Sequence, residues 1–237
     1  MRTAAILPVK RFSHAKQRLS SDVAEPMRLQ LAQAMVSDVL QTLSRSRMLD
    51  LIIIVTGEPS IASSARAEAL GSHRVILLAD SAEDGQNAAV TLGIQRALSV
   101  GIQRVLCVPG DCPCLDEGDL AALLAPNPLA HSEPRGEVVI VPDRHGTGTN
   151  GLLLSPPTAI PPSFGQNSCE RHLTLARQAQ LRCSVQRLPS LMLDIDTSED
   201  LDVLRSRLAG EDGKAPRTRR VLGLSGQATW AASTSAA

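Results

Sequence analysis

The sequence predicts an α/β fold in which a mostly parallel central sheet is flanked by helices. Short apolar runs, typical of buried strands, alternate with longer amphipathic stretches that are typical of helices. The chain has 237 residues, enough to enclose a core that needs no disulfide or metal. We expect a single domain over residues 1–208. Residues 209–237 lose all apolar periodicity and are rich in Ser, Thr, Ala and Gly, which predicts a disordered tail.

In the first half of the chain, strands and helices alternate regularly. Buried strands are predicted at Thr3–Pro8, Leu51–Thr56, Arg74–Leu78 and Arg104–Pro109. Helices are predicted at Pro26–Ser44, Ile61–Leu70, Asn87–Val100 and Asp116–Leu124. Pro26 suits the first turn of a helix, and Gly71 and Gly101 suit the ends of the next two.

Beyond residue 130 the pattern changes to strands that flank a glycine-rich turn. We predict strands at Glu137–Val141, Leu152–Leu154 and Leu191–Ile195, and helices at Ser168–Ala179 and Ser198–Leu208. The segment from Thr197 to Asp200 resembles a helix-start box in which Asp takes the place of the usual Glu.

The composition excludes two classes of partner. Lys plus Arg and Asp plus Glu number 24 each, and one Trp, two Phe and no Tyr leave little to stack on bases, so we expect no nucleic-acid binding. No apolar run approaches ~18 residues, and the run before Lys10 is too short for a signal peptide. We therefore expect no membrane association and a cytoplasmic location.

The five cysteines raise the question of a zinc site, because Cys107, Cys112 and Cys114 are close in sequence. Pro113 separates two of them, and no second Cys/His pair has the spacing of a zinc finger. We expect reduced, partly buried thiols instead.

The segment from Gly146 to Gly151 matches the G-x-G-x-x-G pattern of dinucleotide-binding folds. That pattern binds a dinucleotide where it opens a helix, but here three leucines and then Ser155-Pro156-Pro157 follow. We conclude that no helix starts at this turn and that it does not bind NAD.

Ligands of open α/β sheets bind at the carboxyl ends of the strands, and unusual residues follow two of these predicted strands. Lys10, Arg11, Lys16 and Arg18 lie within nine residues after the first strand. Asp111 follows the fourth, on a turn that two prolines and a glycine stiffen. Asp111 could merely cap a helix, but Asp116 is available for that purpose, so we favour a functional role.

Asp194 and Asp196 alternate with apolar residues in the last predicted strand, which places both carboxylates on one face. Like charges repel unless a cation lies between them or one is protonated. A hard divalent ion such as Mg²⁺ would resolve this conflict. The alternative is that Asp196 caps the last helix while Asp194 faces solvent.

Cations and an Mg²⁺-binding carboxylate set together suggest a nucleoside triphosphate. The Walker pattern G-x-x-x-x-G-K-S/T is absent, so we infer nucleotidyl transfer, in which a substrate phosphate attacks the α-phosphorus. Such a nucleophile is already ionised and needs no general base. His145 and His172 are accordingly interpreted as hydrogen-bonding or structural residues.

Seven segments of the chain, in order, resemble one known family. They are "LPVK", "AKQRL", "GQNAA", "VPGDCP", "VPDRHGTGTNGLLL", "FGQNSCERH" and "LDIDTSEDL". Together they closely resemble the 2-phospho-L-lactate / phosphoenolpyruvate guanylyltransferases of deazaflavin coenzyme F-420 biosynthesis, over about residues 1–208. The family has the nucleotide-diphospho-sugar transferase-like fold.

The resemblance implies a role for each of several residues. It assigns Asp111, Asp194 and Asp196 to metal binding, Lys10 to the phosphates, and Thr149, Gly165 and Ser168 to the phosphorylated acid. Gly85 and Asn87 match a segment that faces the nucleotide, and we expect Lys16 and Arg18 to contact the triphosphate. Backbone amides of the glycine turn and at the helix start at Ser168 would bind the anionic acid. Lys10 and Asp111 are the expected catalytic residues.

The predicted reaction joins GMP from GTP to a small phosphorylated three-carbon acid. Phosphoenolpyruvate is favoured over 2-phospho-L-lactate and 3-phospho-D-glycerate, and a homodimer is left open. A molybdenum-cofactor guanylyltransferase, another sugar-nucleotide-like nucleotidyltransferase and a non-catalytic nucleotide-binding module are the alternatives. The first would carry an L-A-G-G loop where this chain has Leu7-Pro8-Val9-Lys10, and a mere binder has little need of three aspartates. Gln166, Asn167 and Cys114 depart from the family pattern.

Overall fold

The fold is described from a computed structural model, which describes residues 1–14, 16, 19, 22–61, 63, 74–82, 84–125, 136–210 and 213–224. The strands are β1 (Thr3–Val9), β2 (Leu51–Thr56), β3 (Val75–Ala79), β4 (Arg104–Cys107), β5 (Glu137–Pro142), β6 (Thr149–Ser155) and β7 (Arg182–Val185). The α-helices of the described residues are α1 (Glu25–Arg45), α2 (Gln86–Ser99), α3 (Glu117–Leu124), α4 (Ser168–Gln178), α5 (Ser198–Gly210) and α6 (Pro216–Val221). Most of the predicted helix Ile61–Leu70 lies outside the described residues.

These strands form one mixed sheet in the order β3-β2-β1-β4-β6-β5-β7. β1 pairs in parallel with β2 and β4, β2 with β3, and β5 with β7, whereas β6 runs antiparallel to both of its neighbours. The predicted mostly parallel sheet is therefore confirmed. The carboxyl ends of β1 and β4 lie side by side, which brings the loops after them together.

The core lies on both faces of the sheet, and β1 shows how. Ala5 and Leu7 pack into an apolar cluster with α1 and α3, while Ala4 and Ile6 pack into a second cluster with α2 and α4. Because successive side chains of a strand point to opposite faces, a central strand with a layer of helices on each face must be apolar throughout. This is why the sequence of β1 reads as one apolar run.

The predicted strand Leu191–Ile195 is wrong. The Leu191 and Met192 amides donate within a local turn to Leu188 O, at 2.9 and 3.1 Å, and the Ile195 amide donates to Asp111 O at 3.2 Å. The apolar alternation is real, but Leu193 and Ile195 are buried in a third cluster with α1 and α5 rather than in the sheet.

Strand β7, which the sequence analysis did not predict, lies at one edge of the sheet instead. It pairs in parallel with β5 from Arg182 to Val185. Only one side of an edge strand is paired, and its side chains are half-buried or exposed, so β7 lacks the apolar run by which the buried strands were recognised.

The predicted disordered tail is wrong for residues 213–224, because α6 packs against α1. Asp38 of α1 is buried, and its two carboxylate oxygens accept the amides of Arg217 and Thr218 at 3.1 and 2.8 Å. A short helix thus obtains its N-terminal cap from another element, which no local pattern signals. The rest of the predicted tail, residues 225–237, lies outside the described residues.

One smaller prediction is confirmed. At the start of α5, the Asp200 carboxylate accepts the Thr197 amide at 2.8 Å and the Asp200 amide donates back to Thr197 Oγ1 at 3.3 Å, which is a capping box. None of the five cysteines forms a disulfide, and four of them are buried while Cys183 is partly buried. No helix within the described ranges has the length and apolar character needed to cross a bilayer.

Candidate active site

A cavity of about 940 Å³ opens at the carboxyl ends of β1 and β4 and extends to the start of β6. Its walls include most of the residues that the sequence analysis selected, namely Lys10, Lys16, Gly85, Asp111, Thr149, Gly165, Ser168, Asp194 and Asp196. The polypeptide thus brings together side chains from five separate stretches of sequence. Arg18 lies outside the described residues, so its predicted contact with triphosphate stays a prediction.

Lys16 bridges two of the three aspartates at the floor of this cavity. Its Nζ lies 2.6 Å from Asp111 Oδ2 and 3.1 Å from Asp196 Oδ1. Burial opposes the charge of the ammonium, but the attraction of the two carboxylates outweighs it and raises the pKa of Lys16 above its usual value. The lysine is therefore a fixed positive charge among the carboxylates.

Neither Asp111 nor Asp196 caps a helix. Asp116 caps α3, because its side chain accepts the Asp119 amide at 2.8 Å. The amide of Asp196 donates to Asp200 at 3.2 Å, which leaves the Asp196 carboxylate directed to Lys16. Helix capping, the alternative role considered for Asp111 and Asp196, is therefore not observed for either residue.

Asp194 is a partly buried carboxylate held by Asn150. The Asn150 amide nitrogen donates to Asp194 Oδ1 at 3.1 Å and to Leu191 O at 3.0 Å. Burial, and then the neighbouring charge of Asp111, raise the pKa of Asp194 to about 6, while the hydrogen bond from Asn150 acts in the opposite direction. Asp194 therefore sits where added positive charge would relieve electrostatic strain.

The chemistry of these carboxylates fits Mg²⁺. Asp111 Oδ1 is buried and has no hydrogen-bond partner among the described residues, so one hard oxygen receives no donor from them. Among the described residues, no three His, Cys, Asp or Glu side chains lie close enough to form a complete set of ligands by themselves. Mg²⁺ commonly uses only one or two carboxylates and takes its remaining ligands from substrate phosphates and water.

Another part of the cavity wall is formed by the start of β6 and the start of α4. Thr149 is buried, and its Oγ1 lies 3.0 Å from His172 Nδ1. The Ser163 amide donates to the other ring nitrogen, Nε2, at 3.0 Å. Burial, and then the nearby Arg171 cation, lower the pKa of His172 to about 4. The prediction that His172 is a hydrogen-bonding residue is confirmed.

The start of α4 differs in one respect from the expectation. Ser168 and Gly165 line the cavity, and Gly165 has a φ of +111°, which favours glycine. The Ser168 amide, however, donates to Gly165 O at 3.0 Å, and the Cys169 amide donates to Thr147 O at 3.1 Å. These two amides are already satisfied within the protein, so they are not the free donors that we expected.

Asn87 makes a structural contact that the sequence analysis did not predict. Its side chain clamps the main chain of Phe164, accepting the Phe164 amide at 2.7 Å and donating to its carbonyl at 3.3 Å. Asn87 therefore fixes the loop that carries Gly165, and its contact with nucleotide remains a prediction. Gly85, with a φ of +92°, precedes α2 and lines the cavity.

The glycine-rich turn leads from β5 into β6 and opens no helix, as predicted. Asp143 stabilises it, since its Oδ1 accepts the Thr147 amide at 2.9 Å. A Cβ on Gly151 would lie 2.9 Å from Leu191 Cδ2 and 3.0 Å from Val141. The glycine thus allows the close approach of the segment that carries Asp194.

Comparison with known proteins decides the family. The sequence profile described as "Guanylyl transferase CofC like" matches residues 3–235. The chain belongs to this family. This CofC-like chain is 46% identical over 222 residues to a phosphoenolpyruvate guanylyltransferase of Conexibacter woesei, which covers 94% of this chain and 96% of that protein. It is 33% identical over 201 residues to a 2-phospho-L-lactate guanylyltransferase of Methanothermobacter thermautotrophicus, which covers 85% and 83%.

The fold of the CofC-like chain also agrees with a solved structure. A putative nucleotide-diphospho-sugar transferase from Desulfovibrio desulfuricans superimposes with a TM-score of 0.70 at 20% identity, covering 94% of this chain and 95% of that one. The expected nucleotide-diphospho-sugar transferase-like fold is confirmed. Neither the molybdenum-cofactor alternative nor a non-catalytic module is favoured by these relatives.

Sequence reasoning missed the residues that hold the site in place. The role of Asn150, the hydrogen bonds of Asn87 to Phe164 and the pairing of His172 with Thr149 were not predicted. Asn150 carried one usable signal, because only Gly151 separates this polar residue from three leucines, so it had to be either paired or at a strand end. The partners of Asn87 and His172 were not identifiable, since they depend on contacts that only the folded chain creates.

Proposed function

We propose that the protein is a guanylyltransferase that transfers GMP from GTP to the phosphate of a small phosphorylated acid. An acceptor phosphate oxygen attacks the α-phosphorus, a new P–O bond forms there, the bond from the α-phosphorus to the bridging oxygen of the β-phosphate breaks, and pyrophosphate leaves. The observation that carries this proposal is the convergence of Lys10, Lys16, Asp111, Asp194 and Asp196 in one cavity of a CofC-like chain.

The acceptor is proposed to bind at the wall formed by Thr149, Gly165 and Ser168. This wall offers hydroxyl groups rather than an apolar surface, as a phosphate or carboxylate requires. It lines the same cavity as Lys16 and the carboxylates, and Asn150, next to Thr149, donates to Asp194, so an anion bound there would lie near the nucleotide phosphates. A favourable approach is the main catalytic requirement for a nucleophile that is already ionised.

We also propose Mg²⁺ as the cofactor, held through Asp111 and Asp194 with Asp196 nearby. Bound Mg²⁺ would neutralise phosphate charge and favour departure of pyrophosphate. Lys16 keeps a positive charge against the same carboxylates, and Lys10, exposed at the end of β1, is free of the sheet and able to reach the phosphates. A cytoplasmic location and a homodimer stay predictions.

Phosphoenolpyruvate is the proposed acceptor, and its support is the identity to the relative from Conexibacter woesei. Near-isosteric acids are typically discriminated by only ~1–3 kcal/mol unless a polar group is left unpaired. The acceptor therefore has to be measured by competition. GTP with Mg²⁺ and equal amounts of phosphoenolpyruvate, 2-phospho-L-lactate and 3-phospho-D-glycerate should give mainly guanylylated phosphoenolpyruvate, identified by mass, with stoichiometric pyrophosphate.

Two controls make this assay decisive. Omitting all three acids should abolish pyrophosphate release, which distinguishes transfer from hydrolysis of GTP. Replacing GTP by ATP, CTP or UTP should give much less product, and equal turnover with ATP would contradict the guanine assignment. A different dominant product would overturn the choice of acceptor, and no product from any acid would overturn the proposed function.

A further inference from the structure

His172 is a fully buried histidine that the transfer chemistry does not use. It lies on α4, behind the acceptor wall, and its ring makes an edge contact with Phe164 at a centroid distance of 5.1 Å. Its two nitrogens contact two parts of this wall, Thr149 at the start of β6 and Ser163 in the loop before Gly165. The ring therefore joins both elements on which the acceptor is proposed to rest.

The contact with Ser163 determines which ring nitrogen carries the hydrogen. A backbone N–H can only donate, so Nε2 must be the acceptor of the 3.0 Å hydrogen bond from Ser163. A neutral imidazole then carries its hydrogen on Nδ1. Because Nδ1 lies 3.0 Å from Thr149 Oγ1, the ring donates to the threonine oxygen.

This direction of donation constrains the threonine. A hydroxyl that accepts from an imidazole must direct its own hydrogen elsewhere, and Thr149 lines the cavity. We propose that His172 is a positioning residue that commits the Thr149 hydroxyl to donate to an anionic oxygen of the acceptor. This inference rests on the proposed function for the identity of the anion, and it adds the group that orients the donor.

Two other side chains hold the loop that contains Ser163 in place. Arg171, next to His172 on α4, donates from Nε to Ser163 Oγ at 2.9 Å and from a terminal nitrogen to Ser163 O at 2.9 Å. Asn87 holds Phe164 from the other side. With its loop fixed, the Ser163 amide stays on Nε2 and keeps the imidazole in one tautomer.

Two substitutions separate the two contacts of the ring. In His172→Asn the side-chain amide nitrogen can replace Nδ1 and still donate to Thr149, whereas in His172→Gln the amide oxygen can replace Nε2 and still accept from Ser163. We expect the Gln variant to raise the KM for the acceptor about tenfold, and the Asn variant to raise it less than threefold. The KM for GTP should change little in either. His145→Gln, at an exposed histidine, is the matched control and should resemble the parent.

A second set of variants tests the hydroxyl itself. Thr149→Val should raise the KM for the acceptor at least tenfold, and Thr149→Ser should recover most of that loss. Adding His172→Gln to Thr149→Val should cost little more, because both remove the same hydrogen bond to the acceptor. The positioning role would be overturned if the increases in acceptor KM caused by Thr149→Val and His172→Gln multiply in the double variant. It would also be overturned if His172→Asn and His172→Gln have equal acceptor KM values.

One measurement does not depend on turnover. Nitrogen NMR of the parent labelled at histidine distinguishes the two neutral tautomers and the protonated ring. We expect one histidine protonated on Nδ1 alone at neutral pH, with a signal that disappears in His172→Asn. A hydrogen on Nε2 of His172 would overturn the inference even if the enzyme is active. An inactive parent protein in which His172 has the expected tautomer would contradict only the proposed function.

Discussion

The Lys16 ammonium lies 2.6 Å from Asp111 Oδ2, although 95 residues separate the two in sequence. Asp196 Oδ1, from a third part of the chain, lies 3.1 Å from the same nitrogen. One buried cation thus holds three loops at the site where the proposed reaction needs a divalent ion. Lys16 and Mg²⁺ should therefore act on the same carboxylates.

Replacing Lys16 by Met should make the free protein less stable and more responsive to Mg²⁺. The substitution leaves carboxylates that repel one another without their cation, which we expect to cost about 1–3 kcal/mol. Mg²⁺ should then raise the Tm of the variant more than that of the parent, because binding to the native state stabilises it. Thermal unfolding without nucleotide, with and without Mg²⁺, measures both effects.

The control is Lys214→Met, since Lys214 Nζ pairs with Asp116 Oδ2 at 3.2 Å outside the cavity. It should leave the response to Mg²⁺ as in the parent. Equal responses in the parent and both variants would show that Mg²⁺ does not bind at the carboxylates near Lys16.

Asp111→Asn and Asp196→Asn should each lower turnover by ~10²-fold or more, because each weakens the neutralisation of charge on the transferring group. The Tm should also fall, because each amide removes a carboxylate partner from the buried Lys16 ammonium, so turnover is compared at a temperature at which the variants are folded. Steady-state kinetics at saturating GTP and limiting Mg²⁺ tests this. Asp202→Asn, which alters a surface pair with Arg205, should keep full turnover. Full turnover in Asp111→Asn or Asp196→Asn would remove that residue from the metal site.

The stability of the fold should decrease in mild acid partly because of His172. Its pKa is about 4 in the folded chain and about 6.5 when unfolded, so between these values the unfolded state binds more protons. The stabilisation is complete above about pH 6.5 and is lost as the pH falls towards 4. Between about pH 7 and about pH 5, the free energy of unfolding should decrease by about 2 kcal/mol because of His172.

Urea unfolding should show a weaker pH dependence in His172→Gln by roughly this amount, whereas His145→Gln should follow the parent. An unchanged pH dependence in His172→Gln would mean that the folded pKa is not depressed.

The sequence was sufficient to predict the layout of the site because of a general property of parallel sheets. The buried strands were recognisable as apolar runs, and ligands collect where such strands end, so Lys10 and Asp111 could be placed side by side. Asp194 and Asp196 line the same cavity, although the strand predicted for them does not exist. Their alternation with Leu193 and Ile195 reflects burial against α1 and α5, which leaves the same imprint on the sequence as burial in a sheet.

The contacts that orient the site were not predictable in the same way. Asn87 and Phe164 are 77 residues apart, and Lys16 and Asp196 are 180 apart, so neither pairing leaves a local pattern. The donors at the start of α4 illustrate the converse error. A helix start suggests free amides, but those of Ser168 and Cys169 are satisfied by carbonyls that only the folded loop brings near.

The last prediction concerns α6, which replaces part of the expected disordered tail. A chain that ends at Gly210 should unfold at a temperature several degrees lower than one that ends at Leu224. The shorter chain loses the packing of α6 on α1 and the two hydrogen bonds that the Asp38 carboxylate accepts from the amides of Arg217 and Thr218. A hydrogen bond to a charged group typically contributes about 1.5–3 kcal/mol, and 1 kcal/mol corresponds to roughly 2–4 °C in a chain of this size. If the cost arises at Asp38, then Asp38→Asn should lower the Tm of the longer chain and have a smaller effect in the shorter one.

Turnover should be nearly equal in both chains, because α6 contributes nothing to the cavity walls. Equal melting temperatures would show that α6 adds no stability, and a large loss of turnover at an unchanged Tm would mean that it acts on the site.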